Sequence, residues 1–332
     1  MKSKVSLVLA GVVSLALFPS IAPGQSFADD FDVDHTANWT VNSTFGGATN
    51  AANFFFDYST VGIPSAPHST GGSTRGLKLG ANLLGVATPS LAGISVSPTG
   101  KSFTGDYTLR FDWWHNWLGS TTTGLGSASG GSGSTRLSTF GIRTAGTTPN
   151  LAGASDSVFF AATGDGASAA EFRTYSSEKQ SGYTTADGHN TYAAGNQNSS
   201  AALYQTLFPA GATAPAAQVT ISPTTQSGST VAGTAGFRWH DVEIAQVGNI
   251  VTWKVDGTLL ATLDTTSLTN ATAGNNILFG MSDTSTGAGT PAALFAQLDF
   301  TLIDNVTVPE PSLFALGVVG VASLCLVRRR KK

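Results

Sequence analysis

Between residues 29 and 307 short apolar stretches, rich in β-branched and aromatic residues, alternate with clusters of Gly, Ser, Thr, Asn and Asp. That punctuation predicts strands, not helices. The C-terminal third is clearest. Phe237-Arg238-Trp239-His240-Asp241-Val242-Glu243-Ile244 alternates with period two, Val247-Gly248-Asn249 turns the chain, and Ile250-Val251-Thr252-Trp253-Lys254-Val255 returns. Asp256-Gly257 then predicts a tight hairpin, because both residues tolerate positive φ. Strands are predicted over 39–41, 53–58, 76–79, 107–114, 139–143, 157–161, 172–175, 238–246, 250–255, 258–263, 276–281 and 294–306. The expected architecture is an all-β sandwich or barrel. No fixed-period repeat is visible, which disfavours a solenoid or propeller. Residues 119–135 are almost entirely Gly, Ser and Thr and predict a flexible loop. Residues 182–197 and 210–235 read as small-residue connections, and no composition boundary divides the body into two domains.

The two ends break this pattern. Lys2 and Lys4 precede an apolar run over 5–18, then Pro19 and Pro23, and Ser26-Phe27-Ala28 places small residues at the −3 and −1 positions of a cleavage site. Residues 1–28 read as a secretory signal helix, removed by signal peptidase after Ala28. At the other end the 15 residues 313–327 carry no charge and are followed by five cations, Arg328 to Lys332. As a helix the run spans about 22 Å, short of a hydrocarbon core of roughly 30 Å. Snorkelling Arg and Lys stems help close the gap, and the cations favour the cytoplasmic side. An ordinary membrane anchor would have that form. Pro309 and Pro311, however, stiffen the strip that displays Glu310 just outside the span.

The order Val308-Pro309-Glu310-Pro311, apolar span and arginine cluster resembles the PEP-CTERM sorting domain of exported bacterial proteins. The resemblance covers about the last 25 residues. It implies a tail over 308–332, with a single transmembrane helix at about 312–327, that is recognised and removed by the membrane enzyme exosortase. It further implies a Gram-negative bacterium making exopolysaccharide. The protein would be held transiently in the inner membrane and destined for the cell surface or extracellular matrix.

Setting both ends aside changes the charge. The whole chain has 17 Lys and Arg against 20 Asp and Glu; seven cations but only one acid lie in the ends, so the body carries ten against 19, a net of −9. Such a body argues against nucleic acid, whose phosphates are held by clustered cations. The one cysteine, Cys325, falls in the apolar tail. The body therefore has no disulfide and no thiolate chemistry, and at this size it needs no staples.

Within the body, Trp239-His240-Asp241-Val242-Glu243, Val255-Asp256-Gly257-Thr258-Leu259-Leu260 and Ile303-Asp304-Asn305-Val306 form a series that resembles concanavalin A-like jelly rolls, including laminin-G-like modules. The opening Asp29-Asp30-Phe31 with Trp39-Thr40-Val41 suits such folds, whose first and last strands commonly pair. The resemblance implies a jelly-roll β-sandwich over 29–307.

Candidate chemistry is sparse. In the cluster Phe111-Asp112-Trp113-Trp114-His115-Asn116-Trp117, alternation puts Phe111, Trp113, His115 and Trp117 on one face and Asp112, Trp114 and Asn116 on the other. Trp114 or Trp117 would offer a flat apolar face to a sugar ring, unless both faces are buried, as indoles commonly are. Asp30, Asp32 and Asp34 alternate and would share one strand face, a weak calcium set without the remaining features of a helix-loop-helix calcium loop. Glycoside hydrolysis needs two facing carboxylates. Laminarinase-like enzymes on the jelly-roll fold carry Glu-x-Asp-x-x-Glu, whereas this chain has only Asp241-Val242-Glu243. No Gly-x-Ser-x-Gly elbow occurs, and Ser95 stands where a phosphate-binding loop ending Gly100-Lys101-Ser102 needs its first glycine. His35, His68, His115, His189 and His240 show no zinc-type spacing. No catalytic residue is assigned. The expectation is a non-enzymatic exported protein with a structural, adhesive or glycan-binding role, its partners being the processing enzymes and extracellular polysaccharide. The alternative is a secreted polysaccharide hydrolase or lyase.

Overall fold

A computed structural model describes residues 26–47, 49–83, 92–118, 135–150, 156–166, 168, 170–175, 190–192, 198–221, 226, 229–267, 274–284 and 297–309. The expected signal segment up to residue 25, most of the Gly/Ser-rich stretch (119–134), Glu310, Pro311 and the expected membrane span lie outside the described residues.

The described chain is an all-β sandwich of two antiparallel sheets with few helices. Its strands are β1 (Phe27–Asp29), β2 (Trp39–Ser43), β3 (Ala51–Asp57), β4 (Arg75–Gly80), β5 (Ala92–Pro98), β6 (Tyr107–Asn116), β7 (Arg136–Thr144), β8 (Val158–Ala162), β9 (Phe172–Tyr175), β10 (Asn190–Tyr192), β11 (Trp239–Val247), β12 (Ile250–Val255), β13 (Thr258–Asp264), β14 (Asn276–Asp283) and β15 (Phe300–Val308). Sheet I runs β10-β13-β12-β11-β6-β15-β4-β3, and sheet II runs β2-β5-β14-β7-β8-β9. One edge of β15 is taken by β6. The other is shared end to end by β4, opposite Thr301–Ile303, and β1, opposite Val306–Val308.

Alternation decides which side chains meet between the sheets. Leu109, Phe111 and Trp113 of β6, Val242 and Ile244 of β11, and Val251 and Trp253 of β12 face Phe140, Phe160, Phe279 and Met281 of sheet II. Aromatic rings dominate the contact. Phe111 meets Phe279 edge-on at 4.9 Å, Trp113 meets Phe140 at 5.4 Å, and Trp253 stacks on Phe160 at 4.9 Å. The Asp256-Gly257 hairpin forms as expected, with φ of 49° and 75°.

Three differences from the sequence reading have physical causes. Alternation on β6 stops at Asn116, so Trp117 leaves the inner face and stacks on Phe237 at 5.3 Å. Phe31 takes φ of 54° and ends β1, so Asp30, Asp32 and Asp34 lie in a bend and not along one strand. The connections thought irregular include β10 and the helix α2 (Ala216–Ile221), and a further helix α1 (Ala202–Leu207) lies between them. Both helices are short and carry alanines, the best helix former. α2 is also tied to the sheet: Gln218 and Asn116 exchange amide hydrogen bonds of 2.7 and 3.0 Å.

Half of the outer face of sheet I is covered. The 58–72 segment and α2 lie over Trp114, Phe300 and Leu302, making a second apolar cluster with Tyr58, Ile63 and Phe237. The other half stays open, and the candidate site lies there. Trp253→Ala should remove a fully buried ring from between the sheets. It is expected to cost about 3–5 kcal/mol, read as a lower urea midpoint at unchanged slope; an unchanged midpoint would contradict this packing.

Candidate functional site: an acidic cleft on the outer face of sheet I

Three aspartates stand side by side on this face. Asp241 of β11 and Asp304 of β15 are both register partners of Asp112 on β6, so the row crosses three neighbouring strands. Like charges directly opposite one another repel. Each carboxylate is accommodated differently.

Asp112, in the middle, is fully buried. Its Oδ2 accepts from the main-chain N of His68 at 3.0 Å and from Asn305 Nδ2 at 2.8 Å, while His68 Nδ1 lies 2.7 Å from Oδ1. With Nδ1 donating to the carboxylate, His68 keeps Nε2 for other partners. The hydrogen bond to Asp112 raises the pKa of His68, whose side chain remains 60% exposed. Asp304 accepts from Tyr58 Oη at 3.0 Å, Ser69 Oγ at 3.1 Å and the Asn305 main-chain N at 2.8 Å. Burial nevertheless pushes its pKa up to about 7. Asn305 holds φ of 52° at the bulge where β15 slips against β6. That kink turns its amide towards Asp112 and Ser69.

Asp241 is exposed, and its carboxylate makes no hydrogen bond among the described residues. Partial burial raises its pKa; His68 opposes the shift, and Asp112 and Asp256 add to it. Two residues along the same strand face, Glu243 is treated in the opposite way. Lys254 donates to it at 2.8 Å and Arg110 at 2.7 Å, and these contacts lower its pKa.

His68, Asn305, Asp241, Glu243 and Arg110 of this set line an open cleft of about 730 Å³, with Asp112 buried beneath it. His68, Arg110, Asp241 and Glu243 stand along one stretch of it, and Ala28 and Asp30 of the N-terminal strand region along another. Its size falls in the range of small-molecule sites. Its surface offers hydrogen-bonding and charged groups of both signs, with the acids in excess.

The tryptophans proposed for sugar contact lie elsewhere. Trp114 is buried, with Nε1 donating to Asn116 Oδ1 at 3.1 Å and its ring edge-on to Trp239 at 5.7 Å. Trp117 is half-buried with one face against Phe237. Neither lines the cleft, because the 58–72 segment and α2 occupy their half of the sheet. The expected acidic trio also diverges. Asp34 caps Thr36, Asp32 accepts from Ser73 Oγ, and Asp30 accepts from the Asp32 main-chain N. Among the described residues no group of three or more His, Cys, Asp or Glu is placed to hold a metal ion. Asp299, just ahead of β15, is buried beside Arg136, 3.1 Å away, and burial pushes its pKa up to about 7. Ala28, the expected cleavage residue, lies inside β1. Val308, first residue of the expected sorting motif, is the buried last residue of β15.

His68, Arg110 and Asp112 escaped notice as site residues. Their partners come from strands far apart in sequence and from a loop, so only the register brings them together.

No family model matches the chain, and no curated protein matches its sequence. Among solved structures it is similar to the carbohydrate recognition domain of Emp47p (9% identity, 85% of this chain and 93% of that one, TM-score 0.36). It is also similar to a glycoside hydrolase family 16 endo-glucanase from Bacteroides ovatus (14%, 85% and 99%, TM-score 0.39). A third is a protein of unknown function with a galectin-like fold from Bacillus subtilis (6%, 86% and 96%, TM-score 0.38). Similarity at this level assigns no family and no activity.

Buried acids in the site and elsewhere in the fold make stability depend on pH in a definite direction. Asp304, Asp299 and Glu171 are pushed up to about 7 by burial. Between their unfolded values near about 4 and 7 the folded chain holds protons that the unfolded chain has released, so stability falls as pH rises through that window. His68, also raised, adds to the loss on passing above its folded value. Glu243 and Asp57 are lowered, so their contribution is lost at the acid end, below about 4. His115, pushed down to about 3 by burial, works the other way below about 6.5. One group is outweighed by three acids, so melting temperature should be higher at pH 5 than at pH 8, with Asp304→Asn narrowing the difference. A melting temperature that rises from pH 5 to pH 8 would contradict this assignment.

Proposed function

We propose that this is a non-enzymatic exported protein whose body, a concanavalin A-like jelly roll, binds a polysaccharide in the cleft beside Asp112. The single observation that carries the reading is the open cleft itself, with His68, Arg110, Asp241 and Glu243 disposed along it. Sugars present dense hydroxyls, and such a site provides both acceptors and donors at fixed positions. Export rests on the two sequence ends. The signal peptide directs the chain out of the cytoplasm, and the PEP-CTERM-like tail hands it to an exosortase at the inner membrane. The destination is the cell surface or the polysaccharide matrix.

Binding on a glycan array is expected for the exported protein, with at least a tenfold loss for His68→Ala and for Asp241→Ala. Trp114→Ala should act through stability and not through the cleft. A flat array with folded protein, or binding indifferent to both cleft variants, would overturn the glycan-binding reading.

One observation favours a second reading, cleavage of the polysaccharide. Asp241 and Glu243 sit two residues apart on one strand face, one pKa raised and the other lowered, and environments that separate two carboxylates in this way suit an acid and its ionised partner. This reading predicts release of oligosaccharides from an exopolysaccharide, abolished by Asp241→Asn or Glu243→Gln with binding retained. Release that survives both variants, or no release by protein that binds, would retire it.

A further inference from the structure

We infer that signal peptidase cuts before Phe27 and not after Ala28, so that strand β1 stays in the mature protein and forms a wall of the cleft. The inference rests on the export reading above and adds the position of the cut. Phe27, Ala28 and Asp29 pair with Val308, Thr307 and Val306 of β15. Each of the three serves the fold. The Phe27 ring packs edge-on against Trp39 at 5.6 Å and against Phe103 at 6.4 Å, joining the core between the sheets. Ala28 points to the other face and lines the cleft. Asp29 is buried, its Oδ2 accepting from Trp39 Nε1 at 2.9 Å and its Oδ1 from the Phe31 main-chain N at 2.9 Å.

A cut after Ala28 would remove two of the three residues of β1 and leave the Val306–Val308 end of β15 with a free edge. It would also place the new α-ammonium at Asp29, a residue otherwise sequestered against Trp39. Cleavage requires small residues at −3 and −1, and the sequence satisfies that requirement again just upstream. Gly24 and Ser26 stand at −3 and −1 of the Ser26–Phe27 bond, and Ala22 and Gly24 at those positions of the Gly24–Gln25 bond. A cut at either bond leaves β1 whole.

The test uses the full chain expressed in an exporting Gram-negative host, with the N-terminus of the exported protein read by mass spectrometry. A first residue of Phe27 or earlier, past the apolar run, is expected. A first residue of Asp29 overturns the inference while leaving export intact. Retention of Met1 on all the protein overturns the export reading and the inference with it. Ala28→Leu gives a second, independent measurement, because leucine at −1 blocks a cut after residue 28 but leaves both upstream bonds open. Processing at the normal rate is expected for that variant, and accumulation of full-length precursor overturns the inference. Glycan binding is a separate readout: its absence from a protein correctly cut before Phe27 counts against the proposed function and not against the position of the cut.

Discussion

A carboxylate with no exposure, Asp112, stands at the middle of the central strand of sheet I with another aspartate on each flank. Burying such a group is unfavourable by several kcal/mol unless hydrogen bonds replace the lost water. The outer face is arranged around that requirement. The 58–72 segment descends onto the sheet to bring the main chain and ring of His68 to Asp112, and the β15 bulge turns the amide of Asn305 to the same atom. With that segment in place, Tyr58 and Ser69 reach Asp304, and the apolar half of the face receives its cover. The boundary between covered and open sheet, and hence the cleft, follows from where Asp112 is bridged.

The two faces of β6 impose different constraints. Inward, Phe111 and Trp113 require close packing against Phe140 and Phe279, where a missing ring leaves a cavity. Outward, Arg110, Asp112 and Asn116 require partners, and they find them on β11, β15 and α2. A single strand thus fixes both the core and the site. His115 shows the limit of that division. It points inward and is satisfied only on one side, by Ser138 at 2.7 Å, and full burial pushes its pKa down to about 3, so it serves the interior as a neutral ring.

Much of the sheet layout was legible in the sequence because alternation and turn chemistry are local signals. The β11-β12-β13 meander could be read from Trp239 to Leu263, and the Asp256-Gly257 turn specified its second hairpin. β5 was missed although Ala92, Ile94 and Val96 alternate with Gly and Ser, because the Gly and Ser positions read as turn residues. The site was far less legible. Asp112, Asp241 and Asp304 each follow an inward-facing residue (Phe111, His240 and Ile303), but β6, β11 and β15 are joined by long connections, and their register is set by packing. Nothing local assigns His68 to Asp112, since the segment that carries it has no periodic pattern. The indoles misled for a related reason: exposure of Trp114 depends on whether a distant loop crosses it.

The pairing of Phe27 with Val308 joins the two extremes of the body, which gives the cleft a dependence that neither end has alone. Contacts of such sequence separation are entropically the costliest to form and have no partner until the last strand is present. β13, β12, β11 and β6 can pair before that point, whereas β4 and β3 join sheet I only through β15. The wall bearing Ala28 and Thr307 cannot form earlier either, because each of these residues supplies the other's hydrogen-bonding edge. The open face with Asp241 and Glu243 therefore stays incomplete on one side until β15 pairs with β1.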